Sequence, residues 1–297
     1  MDHAITDGAM TAIINAHGAE LASLRDPRGT EYIWQAGPAW PRRAPVLFPI
    51  VGRLARDQLR HGGKAYRLSQ HGFARDRVFA WLERGPDSCR LALVDDDETR
   101  AIYPFGFRFE LAYALTGGEL AMTFTVLNTG AETLPVSFGA HPAFNWPLHP
   151  ETPRDAYALT FAAEEPAPIR RLSGGLMQRE PVPSPIERRI LKLREDLFDA
   201  DAIIMDRVES GAVRFAAPEG PGLDMAWEGF RELGLWTKPG AGFLCIEPWL
   251  GAASPVDFDG PFVEKPGIIL LAPGESRSAA LRITAFSSSS SVSRPSL

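Results

Sequence analysis

Apolar and polar residues alternate in short runs along most of the chain, and turn-forming residues interrupt them at close intervals. In MTFTVLN (122–128), Met122, Phe124 and Val126 point one way and Thr123 and Thr125 the other, the two-residue period of a half-buried strand. Comparable runs occupy residues 11–15, 31–35, 64–68, 77–83, 90–94, 107–115 and 119–127, and again 202–205, 212–216, 233–237, 243–247, 267–271 and 282–286. Asp26-Pro27-Arg28-Gly29, Thr116-Gly117-Gly118 and Asn128-Thr129-Gly130 supply the fixed or positive φ values that tight turns require. The spacing predicts antiparallel β-structure. Helical periodicity is nearly absent: one segment, 186–198, places Ile190, Leu193 and Leu197 on a common face and is the single helix expected. Between Pro142 and Pro185 proline is dense and periodicity fades, which marks long surface connections and not a linker between domains. Residues 287–297, SSSSSVSRPSL, are of low complexity and cannot build a core, so one domain over 1–286 followed by a serine-rich tail is expected.

Composition narrows the class. With 45% hydrophobic and 23% charged residues in 297, the chain can bury an ample core without staples. A net charge of −6 and the lack of any Lys/Arg block leave no electrostatic footprint for nucleic acid. Cys89 and Cys245 are the only cysteines, and MDHAITDGAM shows no basic stretch leading into an apolar one, so a reducing cytoplasm is the expected compartment. No apolar run approaches the roughly 20 residues that span a bilayer.

Polar side chains set in apolar or glycine-rich frames occur in four segments: LFPIVGR (47–53), HGFARD (71–76), FGAHPAFNW (138–146) and CIEPW (245–249). His141 follows a strand-like run and sits among Pro142, Phe144 and Trp146. Aromatic rings beside polar groups suit a sugar, whose C–H faces pack on rings while its hydroxyls take hydrogen bonds. Glu247, between Ile246 and Pro248-Trp249, is a carboxylate that is costly to bury unless paired or used. A histidine and a carboxylate can divide acid and base work. Gly72 allows a close turn beside His71, Arg75 and Asp76 can pair, and Arg53 follows a frame expected to be buried, where a guanidinium needs an acceptor. Asp201 precedes an apolar run and is either a cavity residue or an ordinary strand-entry aspartate. Trp34, Trp40, Trp227 and Trp236 are expected in the core.

Taken with GAELASL (18–24), these segments resemble the aldose 1-epimerase (galactose mutarotase) superfamily, most closely its LacX-like branch, in order and spacing over residues 10–286. The resemblance implies a large antiparallel β-sandwich with an open sugar cleft on one sheet. It assigns Glu247 as general base on the anomeric hydroxyl and His141 as general acid on the ring oxygen, with His71, Arg53, Asp201 and Arg75 as substrate-binding residues. It implies neither metal nor cofactor, and a small-molecule aldose or sugar phosphate as the partner. The well-studied galactose mutarotases read differently around the arginine and the glutamate, so their galactose and glucose preference is not implied. Three alternatives stand beside this reading. Hexose-6-phosphate epimerases use arginines, for which Arg53, Arg56, Arg75 and Arg77 are candidates; a noncatalytic sugar-binding protein needs no acid and base pair; and a metal-dependent barrel can use two histidines and a glutamate, although its usual His-x-His pair is missing.

Overall fold

The alternation over 107–127 becomes two ten-residue strands, Phe107–Thr116 and Glu119–Asn128, joined through Gly117 and Gly118 at φ 60° and 83°. Every second residue is buried, and the pairing sets Leu111 opposite Phe124 and Leu115 opposite Leu120, so one face of the hairpin is apolar throughout. The computed structural model describes residues 2–286; the serine-rich segment 287–297 lies outside the described residues. The hairpin sits inside a nine-stranded antiparallel sheet that runs from Ile190–Lys192 at one edge through Gly222–Glu228 and Ser276–Phe286 to Ala80–Arg84 at the other.

A second sheet orders Ile203–Met205, Glu232–Trp236, Phe243–Leu250, Phe138–Ala140 and Val46–Leu47, with Ala143–Asn145 also paired to Phe243–Leu250. The main core holds the inner residues of both sheets, including Phe109, Phe124, Leu223, Leu281, Leu244, Ile246 and Leu250. The result is the sandwich-like, almost helix-free arrangement expected. Asp97–Arg100 is the one α-helix among the described residues, a single turn closed by a capping box between Asp96 and Thr99. None of the helices described is long and apolar enough to cross a membrane.

Two expectations fail. Residues 186–198 are not a helix but a strand, Ile190–Lys192, followed by a 3-10 turn, Glu195–Phe198. Arg188 at φ 57° breaks any helix, Leu191 pairs opposite Leu159, and the two-residue spacing of buried Leu191 and Leu193 prevails while Ile190 points to solvent. Residues 31–35 form only isolated bridges, Arg25 to Glu31 and Ile33 to Phe144. There the backbone N–H groups of Leu24 and Ile33 donate to the Glu31 carboxylate, which takes up donors that a ladder would use.

Candidate active site

Phe243–Leu250 is buried along its whole length because both of its faces are covered. Leu244, Ile246 and Leu250 enter the main core, whereas Phe243, Cys245, Glu247 and Trp249 project from the opposite face. Glu247 and Trp249 on that face line the floor of a cavity of about 340 Å3, within the range of roughly 300–1,000 Å3 common for small-molecule sites, while Phe243 and Cys245 pack beside it with Ala143 and Ala241.

The neighbouring chain brings the histidine to the glutamate. Gly139 pairs with Trp249 and Ala143 with Cys245, so the register places His141 directly opposite Glu247. The ladder is interrupted at His141-Pro142, between the two short strands, and the imidazole faces the carboxylate: His141 Nε2 lies 3.2 Å from Glu247 Oε2. The two side chains are 9% and 2% exposed. Their contact lacks the geometry of a hydrogen bond, and Glu247 Oε2 and His141 Nδ1 are both buried without a hydrogen-bond partner. Burial pushes the His141 imidazole down to about 3, with Arg75 and Arg42 acting in the same direction. Burial also raises the Glu247 carboxyl well above the usual range, against a smaller opposing effect of the Trp249 indole. Each group thus resists carrying its charge alone, and the pair holds one proton over the interval between them.

His71 is held from the other side. Its own φ of 66° and that of Gly72, 71°, fold the backbone tightly against Phe48, where a Cβ on Gly72 would lie 2.2 Å from the Phe48 carbonyl oxygen. The Gly52 N–H donates to His71 Nδ1 (3.1 Å), and the His71 N–H donates to the Gly52 carbonyl (2.8 Å). With Nδ1 occupied as an acceptor, Nε2 carries the proton of a neutral ring; the Gln70 side-chain amide lies 3.3 Å from it and accepts that proton when its oxygen, not its nitrogen, is turned toward the ring. Burial, then His141, Arg75 and Arg42, keep His71 well below its ordinary pKa, in agreement with this geometry.

Of the residues singled out by sequence, His141, Glu247, His71, Arg75 and Asp201 line this one cavity. Arg75 donates to the Gln70 carbonyl (2.7 Å), pairs loosely with Asp76 through a buried Nε that makes no hydrogen bond (3.8 Å), and is lowered to about 10, mainly by burial. Asp201, at φ 69°, accepts from the Ala202 N–H through Oδ1 (2.8 Å), and its carbonyl accepts from Arg171 (2.7 Å). Arg53 is not among the lining residues. Its frame is buried, but the side chain is 40% exposed, forked onto Asp57 at 2.6 and 2.9 Å, and donates to the Gly174 carbonyl.

The tryptophans divide. Trp227 is in the core, but Trp40 and Trp236 are cavity walls, contrary to the expectation that all four would be core. Trp40 stacks on His141 and packs edge-on to Trp236, while Trp34 donates its indole N–H to the Trp40 carbonyl and so fixes the loop that carries it. That loop has no periodicity, so nothing in the sequence marked it. Trp249 was in view as part of CIEPW; its position two residues beyond Glu247 in a strand places both on one face. Among the described residues, the group able to gather round a metal ion is His141, Cys245 and Glu247, not the two-histidine set considered from sequence.

A family model described as aldose 1-epimerase matches residues 1–284. The chromosomal LacX protein of Lactococcus lactis subsp. lactis is 30% identical over 292 residues, covering 93% of this chain and 96% of that protein. Two solved structures are similar over 96% of the chain, each with a TM-score of 0.90. One is a galactose mutarotase related enzyme from Lactobacillus acidophilus (32% identity, 97% of that chain covered), the other a galactose mutarotase-like protein from Lactobacillus casei ATCC 334 (29%, 100%).

Proposed function

We propose that this chain, which belongs to the aldose 1-epimerase family, interconverts the α and β anomers of a neutral aldose by opening and reclosing the sugar ring. The observation that carries the reading is the contact of His141 Nε2 with Glu247 Oε2 at 3.2 Å, on the floor of a tryptophan-walled cavity, with buried polar atoms left unpartnered on both. Such atoms are costly in an apolar setting and are satisfied by a ligand that brings hydroxyls.

In the reaction, Glu247 takes the proton of O1 and His141 gives a proton to O5. The C1–O5 bond breaks as the C1–O1 double bond forms. Rotation about C1–C2 presents the other aldehyde face, O5 attacks it, and the protons return. The pair begins and ends with one proton, and nothing is oxidised or reduced, so no redox cofactor is called for. Hydroxyls of a bound sugar donate to Glu247 and favour its ionised form, which passes the shared proton to His141. His71 donates through Nε2 and Arg75 through its guanidinium to ring hydroxyls, Asp201 accepts from another, and Trp40 and Trp236 pack on the C–H faces.

Allocation of arginines favours a neutral sugar over a 6-phosphate. Arg53 is paired with Asp57, Arg56 with Asp259 and Arg77 with Glu98, which leaves Arg75 as the arginine lining the cavity, beside the carboxylates of Asp201 and Glu247. The two free, buried cysteines fit a reducing compartment such as the cytoplasm. Polarimetry or saturation-transfer NMR on matched free and 6-phosphorylated aldoses tests the reading. It expects faster anomer exchange of a free aldose, and fails for that panel if no sugar exchanges faster than in buffer.

A further inference from the structure

Cys245 plays no part in the ring-opening chemistry, yet the strand places it two residues from Glu247 on the same face, and the paired strand brings His141 beside it. One ligand atom from each of His141, Cys245 and Glu247 lies within 4.8 Å of the other two, and all three residues are buried. Thiol, imidazole and carboxylate are the donor set of zinc-type cations, and hard ions such as magnesium do not favour it. Zinc bonds of about 2.0–2.3 Å put tetrahedral ligands roughly 3.3–3.8 Å apart. The 3.2 Å between Nε2 and Oε2 is already close to that edge. A second observation points to a ligand here independently: Glu247 Oε2, the atom that faces His141 Nε2, is without a hydrogen-bond partner on a side chain only 2% exposed.

We propose that His141, Cys245 and Glu247 form a three-coordinate site for a zinc-type divalent cation, whose open fourth position faces the cavity and which excludes sugar when filled. The ion occupies the place where the sugar's O1 and O5 meet the pair, so it is an inhibitor, not a cofactor. His71 is outside the site because its Nδ1 is committed to the Gly52 N–H. Exclusion of sugar rests on the anomer-exchange reading; binding of the ion does not.

Cobalt(II) titration of the untagged, chelator-dialysed protein tests this, because a cobalt–thiolate bond gives a charge-transfer band in the near ultraviolet that does not depend on turnover. The expected result is one equivalent bound, with the band present. Cys245→Ser abolishes the band and weakens binding at least tenfold, Glu247→Gln weakens binding at least tenfold, and Cys89→Ser changes neither. Zinc displaces the cobalt. Absence of stoichiometric binding, a band that survives Cys245→Ser, or unchanged affinity in Glu247→Gln overturns the proposal. If Cys245→Ser does not fold, Glu247→Gln and the Cys89→Ser control decide it. Cobalt binding without exchange of any aldose leaves the metal site standing and removes the epimerase reading; exchange without cobalt binding does the reverse.

Discussion

Trp40 lies against the face of His141, with ring centroids 5.2 Å apart and ring planes inclined by 25°. Two effects of this contact oppose each other. The indole face favours an imidazolium by about 0.5–2 kcal/mol, equivalent to roughly 0.4–1.5 pKa units. The same ring helps to seal the imidazole from water, and burial is the main cause that carries His141 from 6.5 to about 3. The burial effect is the larger. Trp40→Ala is therefore expected to raise the His141 pKa toward 6.5 and to lower turnover, with Trp40→Phe intermediate. NMR titration of the imidazole decides it: a pKa that falls in Trp40→Ala shows that the ring contact outweighs burial.

Glu247→Gln and His141→Asn are each expected to reduce kcat by about 10²–10⁴-fold with a smaller change in KM, the usual scale for losing a positioned acid or base. Because the two act on one shared proton, the double variant is expected to lose little more than either single one. Saturation-transfer rates with the preferred aldose measure all three; losses that multiply would mean that the groups work independently.

How much of this site was legible in the sequence depends on the signal each residue carried. Glu247 and His141 stood out because a polar side chain in an apolar frame is costly, and the sheet register then sets them opposite each other. The long hairpin Phe107–Asn128 was legible because one face is buried and two glycines mark its turn. Trp40 was not, since it reaches the site on an irregular loop held by the Trp34 indole. The stretch 186–198 misled because three apolar residues fit a helical period by chance, whereas burial follows Leu191 and Leu193. Burial of LFPIVGR was read correctly as far as Gly52, but whether Arg53 turns in or out depends on Asp57, a contact set by local backbone with no pattern to announce it.

Arg75 and Arg53 are expected to separate in kinetics. Arg75→Gln removes a cavity-lining donor and is expected to raise KM about tenfold, the equivalent of one charge-assisted hydrogen bond of roughly 1.5 kcal/mol. Arg53 is absent from the cavity lining and holds the Gly174 carbonyl instead. Arg53→Gln is expected to change KM by less than about threefold, because a solvent-screened ion pair holds little energy. A larger effect at Arg53 than at Arg75 would restore the role that resemblance gave Arg53.

Gly234 has no positive φ, so its reason for being glycine is steric. A Cβ there would lie 2.4 Å from the six-membered ring of Trp249, which rests on the backbone opposite Glu247. Gly234→Ala is expected to destabilise by about 1–3 kcal/mol through overpacking and to displace Trp249 from the cavity. Adding Trp249→Phe is expected to recover part of that stability, read as a coupling of at least about 0.5 kcal/mol in a denaturant double-mutant cycle. Additive losses would show that the indole is not what excludes a side chain at 234.

Glu247 is also expected to make stability pH-dependent. Its carboxyl sits well above the unfolded value of 4.5, chiefly through burial. The folded chain therefore binds this proton more tightly than the unfolded chain, and the stability it contributes is full below 4.5 and is lost as pH rises through the folded-state pKa. Glutamine of the same shape stays neutral throughout. Glu247→Gln is thus expected to match the wild type near pH 4 and to exceed it increasingly toward pH 8, by about 1–3 kcal/mol, the usual cost of an uncompensated buried polar group. His141 has the opposite slope, since a pKa lowered from 6.5 to about 3 makes stability fall as pH drops between those values. Because both proteins retain His141, that slope cancels to first order in the difference. Thermal unfolding of the two proteins from pH 4 to 8 measures the gap directly; a difference that stays constant with pH would show that Glu247 is ionised in the folded chain as readily as in the unfolded one.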